Sequence, residues 1–206
     1  MIGRSSSDTR NGCGVMITMV LFCSLSAGFS ANAEEISLSS LLGYSINAEW
    51  IANSKHTWVE TSGQKRLAGG PVRFVDKLYI SNNGRIFHRR QLYYLDRTKP
   101  IFSYDNIRSG RGETFRLDAN STFVHTSIPS DDKERTNYTR IVKIALSQSD
   151  GSYSCSVKAS LALQKGEKQY LNYEPSGRYR IIHSFKSRQK SCRVFKGNVF
   201  KGEVGP

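Results

Sequence analysis

From Arg140 to Leu163 the chain alternates apolar and polar residues on both sides of an Asp150-Gly151 pair. Period-two alternation marks a strand with one buried face, and Asp-Gly suits a two-residue type I′ turn. A hairpin closed there pairs Leu146 with Cys155, Ile144 with Val157 and Val142 with Ala159, leaving Lys143 and Lys158 on the opposite face. Turn chemistry and alternation agree on one register.

Two more hairpins are legible. In Val72–Leu95 a two-residue turn at Asn83-Gly84 pairs Ile80 with Phe87, whereas a three-residue loop, Asn82–Gly84, pairs Ile80 with Ile86. Both are good turns, so the register stays open. Thr114–Ser127 turns through Asp118-Ala119-Asn120-Ser121 with weaker alternation. Tyr44–Ile51, His56–Thr61, Arg178–Lys186 and Cys192–Phe200 read as further strands, and Gly166–Glu174 as a less certain one. No long stretch keeps a 3.6-residue apolar period; only Glu34–Gly43 suits a short N-terminal helix. Ser62–Gly70 and Pro100–Gly112 read as the longest loops. The expectation is an all-β single domain, an antiparallel β-barrel or β-sandwich of roughly 8–11 strands. Trp50, Trp58, Phe74, Phe87, Tyr94, Phe115 and Phe123 fall at inward positions, where they fill the core or line a small apolar cup.

Residues 1–33 read as a secretory signal peptide. Arg4 and Arg10 lie in a polar leader, Val15–Phe29 is uncharged and apolar, and Ala31-Asn32-Ala33 is a small-residue cleavage site. An apolar run of about 15 residues is shorter than the ~20 that span a bilayer. The mature chain is then 34–206, periplasmic or secreted, without a transmembrane segment. It keeps two of the four cysteines, Cys155 and Cys192. Two cysteines alone in an oxidising compartment are most simply a disulfide; the alternatives are two buried thiols or a reactive one. His56, His88, His125 and His183 show no clustered spacing with either, so no metal or other cofactor is expected.

Catalytic patterns are missing as well. There is no GxSxG elbow, phosphate-binding loop, HExxH helix or acidic calcium loop. His88, amid Arg85, Arg89 and Arg90, reads as a neutral surface histidine, and His125 and His183 as structural. No catalytic residue is nominated.

Charge is the main asymmetry. The formal net charge is +13, and Pro175–Gly202 holds eight basic residues and no acid. Arginine forks match oxyanions and tyrosine faces stack on sugars or bases. The candidate anion-binding residues are Arg85, Arg89 and Arg90, then Arg178, Arg180, Lys186, Arg188, Lys190 and Arg193. The bland alternative is a solvated basic sheet face. The leading expectation is a non-catalytic binding or envelope-associated protein. Its partner would be an anionic envelope component: a lipid head group, lipopolysaccharide or acidic polysaccharide. Nucleic acid is disfavoured, and the oligomeric state is left open. The alternatives are a hydrolase with dispersed catalytic residues and a small barrel carrying an apolar ligand.

"LLGYSINAEW", followed by "LYISNNGRIFHR" and a late cysteine pair, resembles small uncharacterised secreted proteins of alpha-proteobacteria. That resemblance implies a secreted β-rich fold and carries no activity. Gly43-Tyr44-Ser45 lacks the tryptophan two residues after glycine that marks the lipocalins.

Overall fold

The architecture was obtained as a computed structural model, which describes residues 35–107, 115–128 and 136–204. The segment read as a signal peptide lies outside the described residues. After a 3-10 turn at Ser39–Leu41, where the sequence suggests a short helix, ten strands follow among the described residues. They are β1 (Tyr44–Val59), β2 (Lys65–Ile80), β3 (Ile86–Tyr94), β4 (Phe102–Asp105) and β5 (Arg116–Leu117), then β6 (Thr122–Ser127), β7 (Tyr138–Ser149), β8 (Ser152–Leu163), β9 (Tyr170–Tyr173) and β10 (Tyr179–Lys196). All pairings are antiparallel: one sheet has the order β4-β3-β2-β1-β10-β9, the other β5-β6-β7-β8. The larger sheet curls into a half-barrel. Among the described residues no helix is long and apolar enough to cross a membrane.

The β7–β8 hairpin has the expected register, with Leu146 opposite Cys155. Asp150 and Gly151 both take positive φ, as a type I′ turn demands. The open register of β2–β3 resolves to Ile80 opposite Ile86, with Ser81 N–H donating to the Arg85 carbonyl around the three-residue loop.

Four expected boundaries are corrected. Tyr44–Ile51 and His56–Thr61 belong to one strand, and Arg178–Lys186 runs into Cys192 within another. The polar stretches that separate them in sequence are bridged because register shifts at Glu49/Trp50 and Lys55/His56 absorb the mismatch. Lys65–Gly70 is not loop but the start of β2. Gly69 is required there, since a Cβ would lie 2.1 Å from the Ser54 carbonyl oxygen. Likewise β4 lies inside the expected loop Pro100–Gly112.

Inward rows from both sheets meet in one core containing Ile46, Trp50, Phe74, Leu78, Phe123, Val142 and Ile144. Trp50 stacks on Phe74 with ring centroids 4.1 Å apart. Of the large residues expected inside, Trp50, Phe74, Phe115 and Phe123 are buried in this core, Trp58 is half-buried and Tyr94 is exposed. Phe87 is corrected to the opposite face of β3, where it is buried with Tyr79, Ile107 and Phe200, because Ile80 pairs with Ile86.

The seam between the sheets is closed largely by side chains. Val157 N–H donates to Gln189 Oε1 at 2.7 Å, and Ala159 N–H donates to Ser187 Oγ at 2.9 Å. Ser187 Oγ donates in turn to the Ala159 carbonyl at 2.6 Å. These groups occupy backbone sites that would otherwise be an open strand edge. The expected disulfide forms here, joining Cys155 on β8 to Cys192 on β10. At the far end Asn137 N–H donates to the Leu171 carbonyl at 3.2 Å, tying the entry of β7 to β9.

Candidate functional site

Alternation carries several polar side chains inward along with the apolar rows. On β2 the row Phe74, Asp76, Leu78 places a carboxylate in the core, and on β3 the row Ile86, His88, Arg90 does the same for two basic groups. Asp76 is fully buried and fully engaged. Trp50 Nε1 donates to Oδ2 at 2.8 Å, while Arg90 Nε and His88 Nε2 donate to Oδ1 at 2.7 and 2.9 Å. Burial alone would raise the Asp76 pKa, but Arg90 and His88 outweigh it and hold the carboxyl well below its ordinary range.

His88 is driven towards its neutral form by burial, against the pull of Asp76. His125, on β6, falls to about 3, chiefly through burial and then through Arg90 and His88. Its Nδ1 accepts from Arg90 at 3.3 Å, and Phe115 packs against both imidazoles. His88 is therefore neutral as expected but sits inside the protein, not on its surface. Charge balances within this knot of side chains, while His88 Nδ1, Arg90 Nη2 and His125 Nε2 have no hydrogen-bond partner among the described residues.

Beyond the knot, the interior opens into a cup of about 460 Å³. Its apolar wall is built from Phe74, Leu92, Ile101, Leu161, Ile182 and Phe185. Its polar groups are His56 and Trp58 from β1, Tyr138 and Arg140 from β7, and Arg180 from β10. Register explains the grouping: Trp58 lies opposite Arg180, and His56 opposite Ile182, on the inner face. Arg180 rests over the Trp58 ring at 5.2 Å, and Arg140 over Phe74 at 5.4 Å.

These cations lack anions. Among the described residues no carboxylate lies within ion-pair distance of Arg140 or Arg180. Among the described residues, Arg140 Nε, Arg180 Nε and His56 Nδ1 are buried without a hydrogen-bond partner. Burial first, then the charge of Arg90, lowers the Arg140 pKa to about 10. His56 is lowered by burial, Arg180 and His183. An unsatisfied buried donor costs roughly 1–3 kcal/mol, so the cup concentrates donors that a guest oxyanion would satisfy.

The anion-binding residues expected from sequence do not form one patch. Arg90 is corrected from surface ligand to core residue, because the β2–β3 register turns it inward onto Asp76. Arg180 faces the cup. Arg89 is held by Glu203 and Asp105, Arg178 by Glu174 and Glu60, and Lys190 by Glu49. Arg85 is exposed at its turn, its guanidinium 4.7 Å from the Phe87 ring centre. Lys186, Arg188 and Arg193 are exposed on β10. Arg140, Asp76 and His56 were missed as site residues. Arg140 could have been found by continuing the inward row Val142, Ile144, Leu146 one step back.

No protein-family model, no curated protein and no solved structure matches the chain. The site is read from its own geometry.

Proposed function

We propose that this is a non-catalytic binding protein of the periplasm or cell exterior, which holds an amphipathic organic anion in the cup. The carrying observation is the set of buried nitrogens on Arg140, Arg180 and His56 that have no partner among the described residues, in a cup with largely apolar walls. Two guanidiniums suit a carboxylate, sulfate or phosphate head. Phe74, Phe185, Leu161 and Ile182 suit an acyl or aromatic body. A pocket of a few hundred Å³, mostly apolar with a few convergent polar groups, is the usual form of a small-ligand site. This reading joins two sequence expectations, an anionic envelope partner and a barrel carrying an apolar ligand. It favours a lipid-like molecule over a polysaccharide. The disulfide fits an oxidising compartment.

Trp58 on the wall provides the assay. Dodecanoate and dodecyl phosphate are expected to shift its fluorescence, with dodecanol and dodecyltrimethylammonium binding at least about tenfold more weakly, one lost charged contact. Equal binding of dodecanol would overturn the proposal, as would unchanged anion binding in Arg180→Met.

A further inference from the structure

The large apolar side chains that the fold leaves outside gather mainly around one opening. Leu67 at the start of β2, and Tyr94, Leu95, Ile101 and Phe102 along the β3–β4 connection, are between 47% and 76% exposed. Tyr94 and Ile101 line the cup, and so do Gly69 and Gly70 beside Leu67, so both segments border its mouth. The stretch Lys65–Pro71 extends past β3, whose last residue, Tyr94, pairs with Val72. Leu67 thus lies where β2 has no strand on its β3 side among the described residues, while β10 still flanks β1 on the other side.

Basic residues are interleaved with these apolar ones. Lys65, Arg66, Arg97 and Lys99 are all exposed. Across Lys65–Leu67 and Tyr94–Phe102 the sole acid is Asp96, 3.9 Å from Arg97. Exposed apolar groups that cluster mark an interaction surface. Charged residues are depleted at the core of protein–protein contacts, whereas here they alternate with the apolar ones. Apolar tips with cationic flanks suit a bilayer interface: the tips enter the headgroup–acyl boundary and the cations meet anionic headgroups.

We propose that this rim docks the protein on an anionic lipid bilayer, with the mouth of the cup facing the membrane. The rim residues carry this inference, and it holds whatever the cup contains. If the cup does bind an amphipathic anion, docking lets that ligand move between bilayer and barrel without crossing water.

The test is flotation of the purified processed protein with vesicles of phosphatidylcholine alone and of phosphatidylcholine mixed with phosphatidylglycerol. Binding is expected only to the mixed vesicles, weakening as salt rises. Lys65→Glu/Arg66→Glu should lower the partition coefficient by more than roughly 25-fold, the loss expected from two juxtamembrane cations. Ile101→Ser/Phe102→Ser should also lower it, with its melting temperature and dodecanoate affinity close to wild type. Absence of binding to the mixed vesicles overturns the proposal, as does binding indifferent to both rim variants. Lys186→Glu/Arg188→Glu, on β10, should bind normally; if this variant alone fails, the basic strand is the docking surface and the rim is not. Arg140→Met separates the two readings: it should lose dodecanoate and keep the vesicles.

Discussion

Acidification should loosen this fold through His125 as soon as the pH falls below 6.5. Unfolded, its imidazole takes up a proton near the ordinary value of 6.5; folded, it resists down to about 3. Below pH 6.5 the unfolded state therefore binds more protons, and stability falls with pH. The contribution is complete above 6.5 and is lost progressively through a window ending near 3. At about 1.36 kcal/mol per pH unit, moving from pH 7 to pH 5 costs roughly 2 kcal/mol through this residue. Of the groups facing it, Arg90 and Arg140 are cationic, His88 is neutral, and the one anion, Asp76, is already held by Arg90 and His88, so a further positive charge finds little compensation. His88 is lowered as well and adds in the same direction. Asp76 adds to the loss only in stronger acid, progressively as pH falls from its ordinary value of 3.8 towards its depressed folded value. Urea unfolding of wild type and His125→Asn at pH 7, 6 and 5 isolates the effect. Asparagine can still accept from Arg90 but does not titrate. The variant loses packing on Phe115 and starts less stable, so the pH dependence is the readout. Wild type should lose roughly 2 kcal/mol more than the variant over this range; an equal loss in both would refute a buried, neutral His125.

The seam can be probed at two points. Cys155→Ser, or reduction of the bridge, removes a crosslink that closes 37 residues of separation, and should cost at most about 4 kcal/mol in the chain-entropy model. An unchanged melting temperature would mean that the bridge does not hold the sheets together. Gln189→Ala strands the Val157 N–H and should cost roughly 1–3 kcal/mol, with faster hydrogen exchange at Val157; protection equal to wild type would show that another group caps that edge.

What was legible in the sequence depended on how local the determinant was. The β7–β8 hairpin could be read in full because a two-residue turn and six alternating apolar residues impose one register. The β2–β3 hairpin could not, since two turns were equally acceptable, and the function of the interior hung on that choice. Pairing Ile80 with Phe87 would have turned His88 and Arg90 to solvent; pairing it with Ile86 put them on Asp76. The long strands β1 and β10 looked like four short ones because Asn53–Lys55 and Ser187–Ser191 are polar, and register shifts leave no trace in composition. The cup was beyond local reading altogether. His56, Arg140 and Arg180 come from three strands far apart in the chain and meet only through sheet closure. Exposure misled too, as most arginines counted for a surface patch already hold an acid or point inward.

The two polar regions of the interior differ in one respect that can be measured. Around Asp76 each charge has its counter-charge, so that knot can be kept for its packing. The cup holds Arg140 and Arg180 without an acid among the described residues, and that arrangement opposes folding. A guanidinium lowered from its ordinary value to about 10 is destabilised in its charged form by roughly 3 kcal/mol. It is protonated in both folded and unfolded states at neutral pH, so the whole penalty falls on folding. Arg140→Met keeps most of the volume and removes the charge, giving up only a cation–π contact with Phe74 of about 1 kcal/mol. The variant should thus be more stable than wild type by about 2 kcal/mol without ligand. Wild type should regain the difference with dodecanoate, since ligand at a hundred times its dissociation constant contributes about 2.7 kcal/mol. The two melting curves should therefore cross as dodecanoate is added. A residue kept for structure gives a different result: Arg140→Met would be less stable at every concentration, and dodecanoate would raise both melting temperatures equally or neither.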